Sequence, residues 1–156
     1  MQIARIAGLL VFFSLSYIEN VSAQSTVGPN GASCMTPWGP AIQMNGNGPA
    51  WALTRVPPMV PQPVIIYTPL FYQLPPYMQV FTSDHECGHA NGATDEFTAN
   101  CFALNLLFQK GGNAQTVLMI RQFHYGIGAV GPQYGGSGMA FWQLTYQRCP
   151  QLAIQP

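Results

Sequence analysis

Residues 85–89 read His-Glu-Cys-Gly-His, and this pentapeptide limits the fold more than any other part of the chain. Imidazoles four residues apart lie on one face only in an α-helix, where they sit one turn apart. So placed, nitrogens of His85 and His89 can meet a single metal ion at about 2.0–2.1 Å. Glu86 then lies beside such an ion rather than on it, the position of a base that takes a proton from water. Cys87 points about 200° round the helix from His85, away from the ion. With three histidines among 156 residues and equally few glutamates, this spacing arises by chance in roughly one chain in a thousand.

The charges gather at the same place. Glu19 apart, every carboxylate side chain falls between positions 84 and 96: Asp84, Glu86, Asp95 and Glu96. Charge used only for solubility would be spread over the surface, so this clustering marks a site. Formal net charge is zero, which points away from nucleic acid and from anionic membrane surfaces as partners. A catalytic zinc takes three protein ligands plus water. The third candidate is Glu96, with Asp95 as its rival, because Asn91-Gly92 lets the chain turn back sharply after His89. Both carboxylates also suit the ordinary role of stabilising a helix N-terminus. Glu96 is preferred because zinc sites of this class draw a carboxylate from a neighbouring helix.

The rest of the pattern indicates an α+β domain, a few short strands packed on three or four helices. Val64–Tyr67, β-branched and bounded by prolines, is the best strand, and Ala50–Val56 alternates weakly as a second. Pro57–Pro63 reads as extended. Pro75-Pro76 opens a helix that carries His85 and His89 and ends at Asn91-Gly92. Thr94 caps a second helix, running to Lys110, with Asp95 and Glu96 in its first turn. Asn113 caps a third over Ala114–His124, and Ser137 a last one over Met139–Arg148. Gly135-Gly136-Ser137-Gly138 lacks the context of a phosphate loop.

Arg5, the apolar run Ile6–Ile18 and Val21-Ser22-Ala23 form a signal-peptide pattern over residues 1–23, cleaved before Gln24. The run is shorter than the ~18–20 residues that cross a bilayer, and no later stretch is long enough. The expected product is soluble and secreted or periplasmic. Residues 24–48, rich in Gly, Asn, Ser and Pro, read as a flexible N-terminal arm, and 49–156 as the folded domain. In an oxidising compartment Cys34, Cys87, Cys101 and Cys149 form two disulfides, in any of three pairings.

Glu96-Phe97-Thr98-Ala99-Asn100-Cys101-Phe102-Ala103 resembles the E-x-x-A-D-C-x-A helix of gluzincin zinc metallopeptidases, closest to small secreted bacterial proteins of the minigluzincin kind. Ile65-Ile66-Tyr67, Leu74-Pro75-Pro76 and Phe81 also fit the lead into their active-site helix, so the likeness covers roughly residues 62–110. It implies a small zincin-like domain in which the HExxH helix packs on the glutamate-bearing helix. It implies Zn2+ as the cofactor, held by His85, His89 and Glu96, with Glu86 as general base hydrolysing peptides or unfolded proteins.

This chain departs from that pattern twice. Asn100 stands where the family has Asp; its amide oxygen can orient a ligand histidine but adds no negative charge. His124 is the one histidine left to stabilise an oxyanion, with Tyr125 and Tyr134 as further candidates, but its context better suits a helix C-terminal histidine favoured by the dipole. Two other readings are a zinc-binding protein without turnover and an envelope interaction protein that retains the scaffold.

Overall fold

The structure, a computed structural model, describes residues 25–31, 33–127 and 131–153. Residues 1–23, expected as a signal peptide, lie outside them. Among the described residues, five strands and four α-helices make an α+β fold. A small hairpin, β1 (Met35–Thr36) and β2 (Gly39–Pro40), precedes a three-stranded sheet of order β3–β5–β4. Its strands are β3 (Ile42–Asn45), β4 (Ala52–Arg55) and β5 (Val64–Tyr67).

β5 is central because its β-branched run buries alternate residues, Ile65 and Tyr67, while both edges of its backbone find partners. β3 pairs with it in parallel, Ile42 opposite Val64, and β4 antiparallel, Ala52 opposite Tyr67. The segment 24–48, expected as a flexible arm, therefore supplies a sheet strand, and Tyr67 Oη donates to Gln43 Oε1 at 2.7 Å. Its Gly/Asn/Pro content hid a strand of four residues, which the sheet stabilises from outside. Residues 57–62 form turns rather than an extended run, with Met59 N–H donating to the Val56 carbonyl at 3.1 Å.

α1 (Pro76–Ala90) begins with proline at its first position, where no N–H is needed, and ends at Asn91 with Gly92 at φ +98°. α2 (Glu96–Gln109) is capped by Asp95, whose carboxylate accepts the Thr98 N–H at 2.9 Å, and not by Thr94. Both residue types can cap. Asp95 wins here because it reaches the Thr98 hydroxyl as well as the amide. α3 (Ala114–Gly126) and α4 (Gly138–Arg148) carry the expected caps, Asn113 and Ser137.

α1 packs against α2 more extensively than any other pair of elements, and its opposite side meets β4 and β5. The α1–α2 approach is close because residue 88 is glycine. A Cβ there would lie 3.0 Å from Ala99 Cα and 3.1 Å from Phe102 Cβ. Two disulfides fasten the helices: Cys34–Cys87 joins the N-terminal segment to α1, and Cys101–Cys149 joins α2 to the end of α4. Lys110 and buried Asp84 form an ion pair at 2.6 Å that ties the end of α2 to α1. Ile65, Phe71, Met78, Leu104, Ile120 and Trp142 are fully buried between the sheet and the helices. Among the described residues no helix is long and apolar enough to cross a membrane. The two disulfides are compatible with a secreted or extracellular protein.

Candidate metal centre

The chain reverses within five residues between α1 and α2, which brings the start of α2 over the histidine-bearing face of α1. His85 Nε2 lies 3.0 Å and His89 Nε2 3.5 Å from the same oxygen, Glu96 Oε2. One donor atom from each of the three residues falls within 4.8 Å of the others, a group that can hold a metal ion. Two imidazole nitrogens and one carboxylate oxygen are a donor set suited to a divalent transition ion.

The surroundings orient these groups. His89 Nδ1 is 2.9 Å from the Ala93 carbonyl oxygen, which only accepts, so Nδ1 carries the proton and Nε2 faces the group with its lone pair. Burial disfavours charge on Glu96 and on His89, yet pairing outweighs it. Glu96 is held down to about 2 by the hydrogen bonds and charges of His85 and His89. His89 is raised by Glu96, the Ala93 carbonyl and the field of Glu86. Asp95, the rival ligand, is occupied as the α2 cap and lies 3.5 Å from Arg148.

Glu86 is buried one position along α1, and its Oε2 accepts the Thr54 hydroxyl at 2.7 Å. Thr54 comes from β4, so the sheet holds the carboxylate at one oxygen and leaves Oε1 for other work. His85 and Glu86 line a cavity of about 390 Å³ together with Trp51, Phe81, Asn100 and His124. Asn100 is fully buried; its Nδ2 donates to Thr145 Oγ1 at 3.0 Å, and its Oδ1 has no partner among the described residues. An orphaned buried acceptor is costly, and Asn100 is the residue whose amide oxygen was expected to orient a ligand histidine.

His124 is not governed by the helix dipole, which would favour its cation. It is 7% exposed, and rings of Trp51, Phe81, Phe123, Phe141 and Trp142 surround it. Burial, with repulsion from His85, lowers its pKa to about 4. Trp142 Nε1–H donates to His124 Nδ1 at 3.1 Å, so the neutral ring carries its proton on Nε2. The side chain is thus a fixed N–H donor at the cavity wall.

Tyr134 also lines the cavity, its hydroxyl pushed up to about 12 by burial and then by the fields of Glu96 and Glu86. Tyr125 is not among the lining residues; it is exposed beside Arg121. Cys87 points away from the group into its disulfide with Cys34. Thr54, Trp51 and Trp142 escaped the sequence, since nothing local distinguishes a threonine on a short strand or an indole on a helix that meets these partners.

Compared with known proteins, the chain matches no family model, no curated protein and no solved structure.

Proposed function

We propose that the protein is an exported zinc-dependent peptidase, with His85, His89 and Glu96 as metal ligands and Glu86 as general base. The observation that carries this reading is Glu86. Metal binding alone does not require a buried carboxylate beside the three donors, held by Thr54 at the wall of the cavity that His85 lines. The likeness of residues 62–110 to gluzincin metallopeptidases points the same way.

Zinc, when bound, supplies Lewis acidity that polarises a carbonyl and lowers the pKa of coordinated water to about 7. Glu86 Oε1 accepts the proton that water loses, while Oε2 stays bonded to Thr54. The water oxygen bonds to the carbonyl carbon, the amide C–N bond breaks, and the proton held on Glu86 passes to the leaving amine. His124 Nε2–H is the donor available to negative charge that develops on the carbonyl oxygen. It needs no proton from solvent to act, because it is neutral and donating at any pH well above 4. Asn100 Oδ1 accepts no hydrogen bond from the described residues, so it has no part in this scheme.

Metal analysis of the mature protein, beside His89→Ala and Glu96→Ala, tests the ligands: about one zinc per chain is expected, lost in both variants. Turnover of a peptide mixture by wild type and Glu86→Gln tests the chemistry. Zinc at full occupancy with equal, negligible turnover in both would sink the peptidase and leave a zinc-binding protein.

A further inference from the structure

We propose that the end of the sheet formed by the β1–β2 hairpin and the turns at 57–62 docks on a lipid bilayer, inserting Met35, Trp38 and Met59 into its interface. Between Gln24 and Ser83 the only charged side chain is Arg55, at the end of β4. Met35, Trp38 and Met59 are 64%, 50% and 72% exposed. Gln62 Nε2 donates to the Pro40 carbonyl, so the segment that carries Met59 lies against the hairpin that carries Trp38. Ile42 N–H donates to the Pro63 carbonyl at 2.9 Å and joins the two segments again. Cys34, at the base of the hairpin, is bonded to Cys87 of α1, which holds this end against the fold.

The backbone decides for lipid over a partner chain. Pro37, Pro40, Pro57, Pro58, Pro61 and Pro63 offer no N–H. Trp38 N–H donates to Thr36 Oγ1 at 3.2 Å, and Met59 N–H to the Val56 carbonyl at 3.1 Å. The carbonyls of Met35, Gly39 and Pro40 accept from the side chains of Asn91, Thr36 and Gln62. A strand added by a partner would find few donors to pair with. A bilayer interface penalises unpaired backbone groups, and here they are already paired or absent.

The side chains suit the same occupant. Tryptophan settles at the boundary, its apolar body toward acyl chains and its N–H toward headgroups. Arg55 is exposed and meets no carboxylate among the described residues, which leaves it for a lipid phosphate. Attachment comes from buried apolar area rather than from net charge, which is zero. None of Met35, Trp38 and Met59 lines the cavity beside His85, so the proposal stands apart from the zinc chemistry.

The test is cosedimentation of the mature protein, both disulfides formed, with phosphatidylcholine vesicles. Wild type should bind, and Trp38→Ser with Met59→Ser should lower the partition coefficient at least about 10-fold. Met139→Ser, at an exposed position on α4, should leave it unchanged. Phosphatidylglycerol should add no more than about the 5-fold that one cation supplies. Tryptophan emission should shift to the blue on binding, and Trp38→Phe should bind while losing the shift. Sedimentation velocity without lipid reads self-association. No vesicle binding, or binding that the double variant keeps, would overturn the proposal. Binding that needs anionic lipid overturns it in favour of electrostatic attachment. Self-association that the double variant abolishes, with no lipid binding, overturns it in favour of a second copy of the chain.

Discussion

Acidification should loosen this fold through His124. Its pKa of about 4 in the fold stands against 6.5 for an ordinary histidine, because burial among aromatic rings disfavours the imidazolium and His85 adds repulsion. Between those values the unfolded chain binds more protons than the folded one, so stability rises with pH. The contribution is complete above about pH 6.5 and is lost as pH falls toward 4. The gap corresponds to on the order of 3 kcal/mol, of which about 2 kcal/mol is gone by pH 5. Only 7% of the residue is exposed, so solvent screening takes little from that figure.

The assay is urea unfolding, with disulfides intact and metal chelated, followed by tryptophan fluorescence at about pH 7, 6 and 5 for wild type and His124→Gln. A glutamine oxygen can still accept the Trp142 indole N–H, so that donor keeps an acceptor. His89 and Glu96 titrate in both proteins, and the difference between the two curves isolates His124. Wild type should lose about 2 kcal/mol more than the variant between pH 7 and 5. Parallel curves would refute the reasoning, because they would mean that the ring is solvated or already protonated in the fold.

Three further outcomes are expected. Gly88→Ala drives a methyl group to 3.0 Å from Ala99 Cα; it should cost about 1–3 kcal/mol in urea unfolding and weaken zinc binding measured by calorimetry. Thr54→Val removes the hydroxyl that holds Glu86 at 2.7 Å. It should slow peptide turnover with zinc stoichiometry unchanged, losing about 1.5–3 kcal/mol for a bond to a charged group; full turnover would place the Glu86 orientation elsewhere. Replacing Cys34 and Cys87 together by Ser opens a link across a sequence separation of 53 residues. The loss should be about 4 kcal/mol, read as a fall in Tm under non-reducing conditions.

Much of the candidate site was legible in the sequence because its parts lie within one or two helical turns of each other. His85 and His89 are neighbours by helical period alone, and Asn91-Gly92 marks where the helix must stop. The caps Asn113 and Ser137 and the proline start of α1 are local in the same sense, since each answers an unsatisfied N–H a few residues away. Even there the sequence left choices open. Threonine and aspartate are both capping residue types, and aspartate and glutamate both metal-ligating ones; the first turn of α2 assigned the cap to Asp95 and turned Glu96 toward the histidines.

What only the tertiary structure decided is everything that depends on register between distant segments. Thr54 reaches Glu86 because β4 lies against α1, Trp142 reaches His124 because α4 crosses α3, and residues 42–45 become a strand only because β5 offers them an edge. The disulfide pairing has the same origin, since four cysteines allow three connectivities and packing alone brings Cys34 to Cys87. Residue spacing encodes interactions along one helix or strand. The environment that holds Glu86 and keeps His124 neutral comes from burial between elements, which no local pattern carries.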